Sequence, residues 1–302
     1  MESVTNRNAC RGNLIFFLIA LAVVTVRPGI AEEHNIEQLH QAAEQGNASA
    51  QFKLGFMYES GEGVQEDHRA AVKWLRRAAE QGHAKALNNL CGMYYKGHKV
   101  LQDTREALKW CSQATEQGDT LAQAILCAMY FSNEWVPQDA RKAAKLCSGS
   151  ANQGNPITQY ILGKLYLTGA GVPEDNREAV GWLRKAAEQG LPMAQFSLGS
   201  MYDRGKGVLE DGREAVKWYR KAAAKGLVSA QLNLGTMFAS GKGVPEDYVK
   251  AYAWYNLAAA QGNKKAIEGK ELLRSRMTAE QVAKAQKLAA DLWERIESSK
   301  SE

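Results

Sequence analysis

Glycine pairs ahead of helices, four related cysteines, and scattered histidines and serines are the residues of this 302-residue chain that could carry chemistry. Gly61 and Gly63 precede an amphipathic stretch, the order found where backbone amides cradle a phosphate at a helix N-terminus. Such a loop should occur once. Here the order returns at Gly169 and Gly171, at Gly205 and Gly207, and at Gly241 and Gly243, so these glycines read as turn chemistry. The histidines, His34, His40, His68, His83 and His98, show no metal-ligand spacing. No serine opens a Ser-x-x-Lys, Lys-Thr-Gly is missing, and no Cys-x-x-Cys marks a thiol oxidoreductase. The acidic residues stand mostly at helix starts or on solvent faces and single out no carboxylate pair. No catalytic residue, metal or cofactor is expected.

The elements that would position these groups repeat. Gly46, Gly82, Gly118, Gly154, Gly190, Gly226 and Gly262 fall every 36 residues, delimiting six units over 47–262 without insertion. A fixed period of this length means stacked supersecondary units, each too small to bury its own apolar face. In the first unit Ala48, Gln51, Leu54, Gly55 and Tyr58 form one helical stripe (helix A). Gly61 and Gly63 break it, and Asp67 starts a second helix (B) carrying Ala71, Trp74, Leu75, Ala78 and Ala79. An Asp recurs there in every unit, as Asp67, Asp103, Asp139, Asp175, Asp211 and Asp247. Glu106, Glu178 and Glu214 stand three residues further on and predict capping boxes. Trp74, Trp110, Trp182, Trp218 and Trp254, with Leu146 in the third unit, read as buried filler.

The pattern AQFKLGFMYESGEGVQEDHRAAVKWLRRAAEQG (50–82) resembles the Sel1-like repeat, a relative of the tetratricopeptide repeat, and the likeness covers residues 47–262. It implies an all-α fold: a right-handed α-solenoid of six 36-residue antiparallel helix pairs, whose concave surface binds other proteins. The third unit departs most, with Asn133 and Trp135 in place of the loop glycines. Residues 36–45 match the second half of a helix B, and 32–46 are expected to form an N-terminal capping helix. Residues 263–302 predict two capping helices and a short tail, the second helix opening at Thr278 with Gln281 as its box partner.

Tetratricopeptide-like stacking turns positions 49, 52, 56 and 59, and their images in later units, toward the concave side. The side chains expected to meet a partner there are Phe52, Phe56, Lys85, Asn88, Tyr95, Phe131, Tyr160, Lys164, Phe196 and Asp203, with Leu167 and Leu232. They form an apolar groove with a few polar fixtures, suited to an extended peptide or a helix. Filling between neighbouring A helices is the competing role for some of them.

Cys91 and Cys127 occupy the position of Gly55, and Cys111 and Cys147 that of Leu75; units two and three carry both replacements and the other units neither. Paired replacement points to bonds within each hairpin, Cys91–Cys111 and Cys127–Cys147, in an oxidising compartment. Cys111–Cys127 pairing, or four reduced cysteines as small apolar filler, stand as alternatives.

Residues 1–31 run from basic residues through an apolar stretch, Leu14 to Val26, to Gly29-Ile30-Ala31, and predict a signal peptide cleaved after Ala31. An uncleaved membrane anchor over 14–26 is the alternative. Removing Arg7, Arg11, Arg27 and Glu2, a net +2, lowers the formal charge from +5 to +3. That excess is spread among acids and excludes a nucleic-acid footprint. The expectation is an exported monomer, periplasmic or secreted, that binds a protein or peptide and performs no catalysis. A β-lactam- or cell-wall-related hydrolase or binder, an activity linked to some cysteine-rich relatives, is the alternative.

Overall fold

The computed structural model describes residues 30–97, 101–132 and 139–301. Most of the expected signal segment, His98 and the third-unit loop with Asn133 and Trp135 lie outside these residues. Every regular element among them is a helix. The A helices of the six units are α2 (Ala48–Ser60), α4 (Ala84–Lys96), α6 (Thr120–Ser132), α8 (Pro156–Thr168), α10 (Pro192–Arg204) and α12 (Val228–Ser240). Their B partners are α3 (His68–Glu80), α5 (Thr104–Glu116), α7 (Ala140–Asn152), α9 (Asn176–Glu188), α11 (Gly212–Ala224) and α13 (Tyr248–Ala260). α1 (Ile30–Glu44) precedes them, and α14 (Lys264–Arg274) and α15 (Ala279–Ser301) follow. Each A helix packs on its own B, and each B on the next A. Within the six units, the A helices α4/α6 and α6/α8 meet closely, whereas no two of the B helices α3, α5, α7, α9, α11 and α13 do to that extent. The A helices therefore line the inside of the curve.

Turn chemistry sets the helix ends. Gly61, Gly97, Gly169, Gly205 and Gly241 close A helices with φ between 63° and 75°. All six aspartates cap B helices, as Asp67 Oδ1 does in accepting from the amides of Arg69 (2.9 Å) and Ala70 (3.0 Å). The predicted capping boxes do not close. The amide each Glu was to accept from is already used: Asp103, Asp175 and Asp211 donate their N–H to the carbonyls of Tyr94, Tyr166 and Tyr202 on the preceding A helix. Glu106 accepts instead from Trp110 Nε1 at 2.7 Å and from Arg76. A complete reciprocal box does open α15: Thr278 N–H reaches Gln281 Oε1 (2.9 Å), and Gln281 N–H reaches Thr278 Oγ1 (3.2 Å).

Small residues in the B helices let the stack close, and Trp74, Trp110, Trp218 and Trp254 are buried within it. Trp182 differs from expectation: it is only partly buried, with Lys185 Nζ 4.1 Å from its ring centroid. Polar side chains stitch the units together. Buried Gln51, Gln159, Gln195 and Gln231 each donate to a carbonyl of the preceding helix, that of Ala43, Ala151, Ala187 and Ala223 respectively. Gln81, Gln189 and Gln261 donate in turn to the amide oxygens of Gln51, Gln159 and Gln231, so these buried amides avoid a desolvation cost of about 1–3 kcal/mol each. The bond to Ala43 shows α1 standing where a preceding B helix would.

The second loop glycine sets how closely the units approach. At Gly207, φ is +73° and an added Cβ would lie 2.2 Å from the carbonyl oxygen of Asn176, the first residue of the previous B helix. Gly171 and Gly243 press on Ala140 and Gly212 in the same way. The ladder of glutamines and these loop contacts leave the exposed faces of the A helices as the surface on which units differ.

Candidate protein-binding surface

At position 52 and its images, Phe52, Asn88, Tyr160, Phe196 and Leu232 are partly buried and Ala124 is buried. Phe52 stacks on the His83 ring (centroids 4.8 Å apart), and Phe196 lies 5.6 Å from the Tyr219 ring. Tyr160 is half-buried, and burial pushes its phenol pKa up. Phe131, Leu167 and Leu232 are likewise partly buried against the core. These side chains thus serve the stack. Phe56 differs, being 45% exposed and 6.4 Å from Phe52. Both phenylalanines line a groove of 910 Å³ whose other wall includes Ile36 and Leu39 of α1.

The polar fixtures separate in the same way. Lys85 is exposed and borders a recess of 410 Å³ with Phe52 and Lys53. Asn88 Nδ2 donates to Asp119 Oδ2 at 2.6 Å, tying one A helix to the cap of the next. Tyr95 is partly buried and its carbonyl accepts from Gln102 Nε2 at 2.8 Å; Lys164 is also partly buried. Asp203 holds Lys242 of the sixth-unit loop at 2.7 Å. Hydrogen bonds to Asp203 and then to Glu210 raise the Lys242 pKa above the usual lysine value. His83 Nδ1 caps α4 by accepting from the Ala86 amide, and burial followed by nearby Lys85 lowers its pKa, favouring the neutral ring that can accept.

Besides Phe56, three strongly exposed apolar side chains on the A helices were not named among the residues expected to bind. Leu121, Ile157 and Met193 occupy one position in three consecutive units and are 52%, 51% and 45% exposed. Their signal was present as a 36-residue periodicity at position 49, but Ser49, Lys85 and Ser229 at the other images hide it. Leu121 borders a recess of 320 Å³ with Gln153, Gly154 and Asn155 of the turn below.

The four cysteines are buried in the second and third hairpins. Sulfurs lie at disulfide distance for Cys91 with Cys111 (2.10 Å) and for Cys127 with Cys147 (2.01 Å). Among the described residues no group of three or more His, Cys, Asp or Glu is placed to hold a metal ion, and no helix is long and apolar enough to cross a membrane.

A family model described as the Sel1 repeat matches residues 48–83, 84–119, 120–155, 156–191, 192–227 and 228–263. The solved structure of a Sel1 repeat protein from Oxalobacter formigenes is similar at 33% identity and a TM-score of 0.67, over 88% of this chain and 77% of that one. A protective antigen of uropathogenic Escherichia coli, c5321, is 30% identical over 88% of this chain and 72% of its own, with a TM-score of 0.40. No protein of curated function matches the chain.

Proposed function

The chain belongs to the Sel1 repeat family, and from that premise we propose that it is a non-enzymatic interaction scaffold of the cell envelope or secreted compartment that holds a protein partner along the inner face of its A helices. The observation that carries this reading is the exposed track of Leu121, Ile157 and Met193 in consecutive units. Apolar side chains of this size, regularly spaced on a rigid support, are the anchors an extended or helical segment uses, and a few such contacts supply most of the binding energy of an interface. Phe56 and Lys85 extend the track toward the first unit.

The triple variant Leu121→Ser, Ile157→Ser, Met193→Ser tests this. Its side chains already meet solvent, so its thermal melt is expected to stay within a few degrees of wild type. Capture of the partner from an envelope fraction should fall by about tenfold or more. Unchanged capture would move the contact surface off the A helices.

Export is part of the same proposal, supported by the cysteine geometry and by the basic-apolar-small order of residues 1–31. N-terminal sequencing of the exported product is expected to begin at Glu32. A membrane-bound product that starts at Met1 would instead mean an anchor.

A further inference from the structure

We infer that the outward face of α11 is a second binding surface, built to take an acidic segment of a protein partner. Arg213, Lys217, Arg220 and Lys221 stand at i, i+4, i+7 and i+8 on this helix, so all four project along one face. They line a groove of 520 Å³ with Val216, Ala224 and Val244 as its apolar lining. The one acidic side chain on α11, Glu214, is already paired with Lys217 at 3.0 Å.

The position of Arg220 distinguishes this unit from the others. In the first unit the equivalent Arg76 is held down by two groups, the Tyr94 hydroxyl at 3.0 Å and Glu106 at 3.1 Å. In the fourth unit Arg184 likewise donates to the Tyr202 hydroxyl. Moving from Arg76 to Arg220 by four repeats turns Tyr94 into Phe238 and Glu106 into Lys250. The phenol is gone and the acid has become a base. Arg220 therefore keeps neither partner and stays exposed, beside a Lys221 whose ammonium lies 4.3 Å from the Trp218 ring centroid.

An unpaired guanidinium flanked by cations calls for carboxylates, which it can grip with two parallel hydrogen bonds. The surroundings favour one strand of polypeptide over a flat anionic bilayer. Exposed Glu210, Asp211 and Glu246 lie on the loops beside the groove and would repel a sheet of negative headgroups. A narrow acidic segment laid along α11 avoids them and can set aliphatic side chains against Val216 and Val244.

The test uses the intact chain and a labelled peptide of alternating glutamate and valine, followed by fluorescence anisotropy. A glutamine-for-glutamate peptide and phosphatidylglycerol vesicles serve as comparisons. The glutamate peptide is expected to bind, less tightly as salt rises, and the glutamine peptide to bind at least about tenfold more weakly. Phe238→Tyr with Lys250→Glu rebuilds the arrangement around Arg76 and should recapture Arg220, lowering affinity by about tenfold with helix content unchanged. Arg220→Gln should do the same without touching the sixth unit. The inner-face triple variant should bind this peptide like wild type. Equal binding of the two peptides, wild-type affinity in the Arg220→Gln variant, or vesicle binding without peptide binding would overturn the inference.

Discussion

Replacing Trp110 with alanine is expected to remove about 3–5 kcal/mol of stability, the range for truncating a fully buried large aromatic. The ring is 0% exposed. Its loss would also break a short polar chain, because Glu106 receives Trp110 Nε1 at 2.7 Å and Arg76 at 3.1 Å. Among the six units, helices pack closely only within a unit or on an adjoining one, so the damage should stay local. Hydrogen exchange is expected to speed up in α3–α6 and to remain slow in α10–α13. Trp110→Phe separates the two contributions, since it keeps most of the apolar volume and loses only the N–H donor. Trp182→Ala should cost less, about 1–3 kcal/mol, because that ring already meets solvent beside Lys185. Urea unfolding of the three variants checks the order. A Trp182→Ala loss as large as that of Trp110→Ala would mean that burial does not set the cost.

The two tryptophans show what the 36-residue pattern can and cannot tell. Period, helix bounds and caps were legible because each depends on a few neighbouring residues: Asp67 needs only the amides of Arg69 and Ala70 to act as a cap. How much of a ring is covered depends on the unit stacked against it, which one repeat does not specify. The unfinished capping boxes have the same cause. Glu106, Glu178 and Glu214 are correctly spaced, but the amides they would accept are taken by carbonyls nine residues back, a bond between helices that local spacing does not reveal. The buried glutamines were legible as stripe positions, yet their polar role depends on carbonyls of the preceding helix. At the candidate surface, the ring positions 52, 160 and 196 were read from the stacking rule, and the structure shows that they also fill between helices. Leu121, Ile157 and Met193 share the position of Lys85, which was expected to face a partner, but the serines at 49 and 229 interrupt the apolar run that would have singled them out. The release of Arg220 required two substitutions, at 238 and 250, to be compared with their counterparts one and four units earlier.

Exchanging the cysteines of the second unit back to the residues of the other units should show why they occur as pairs. In the first, fourth, fifth and sixth units a Cβ added at the A-helix glycine would collide with the B-helix side chain opposite. Gly55 would meet Leu75 at 2.8 Å, Gly163 would meet Leu183 at 2.8 Å, Gly199 would meet Tyr219 at 2.8 Å, and Gly235 would meet Tyr255 at 2.6 Å. A side chain on helix A is therefore tolerated only where helix B carries something small enough to accept it, and Cys91 opposite Cys111 meets that condition. Cys111→Leu alone both removes the bridge and restores the collision. The bridge spans 20 residues, worth on the order of 3 kcal/mol by loop entropy, and overpacking adds about 1–3, for a loss of roughly 4–6 kcal/mol. The double variant Cys91→Gly, Cys111→Leu loses the bridge but regains the packing of the first unit, so its loss should be limited to about 3 kcal/mol. The two substitutions are thus expected to couple by about 1–3 kcal/mol, with the second rescuing part of the damage of the first. Urea unfolding with and without reductant measures this: reductant should destabilise the wild type by more than the double variant, which keeps only the Cys127–Cys147 bridge. A non-reduced digest should link Cys91 to Cys111 and Cys127 to Cys147. If Cys111→Leu is no less stable than the double variant, the glycine and its opposing side chain do not compete for the same space. If reductant leaves the wild type unaffected, the cysteines hold the hairpins by packing alone.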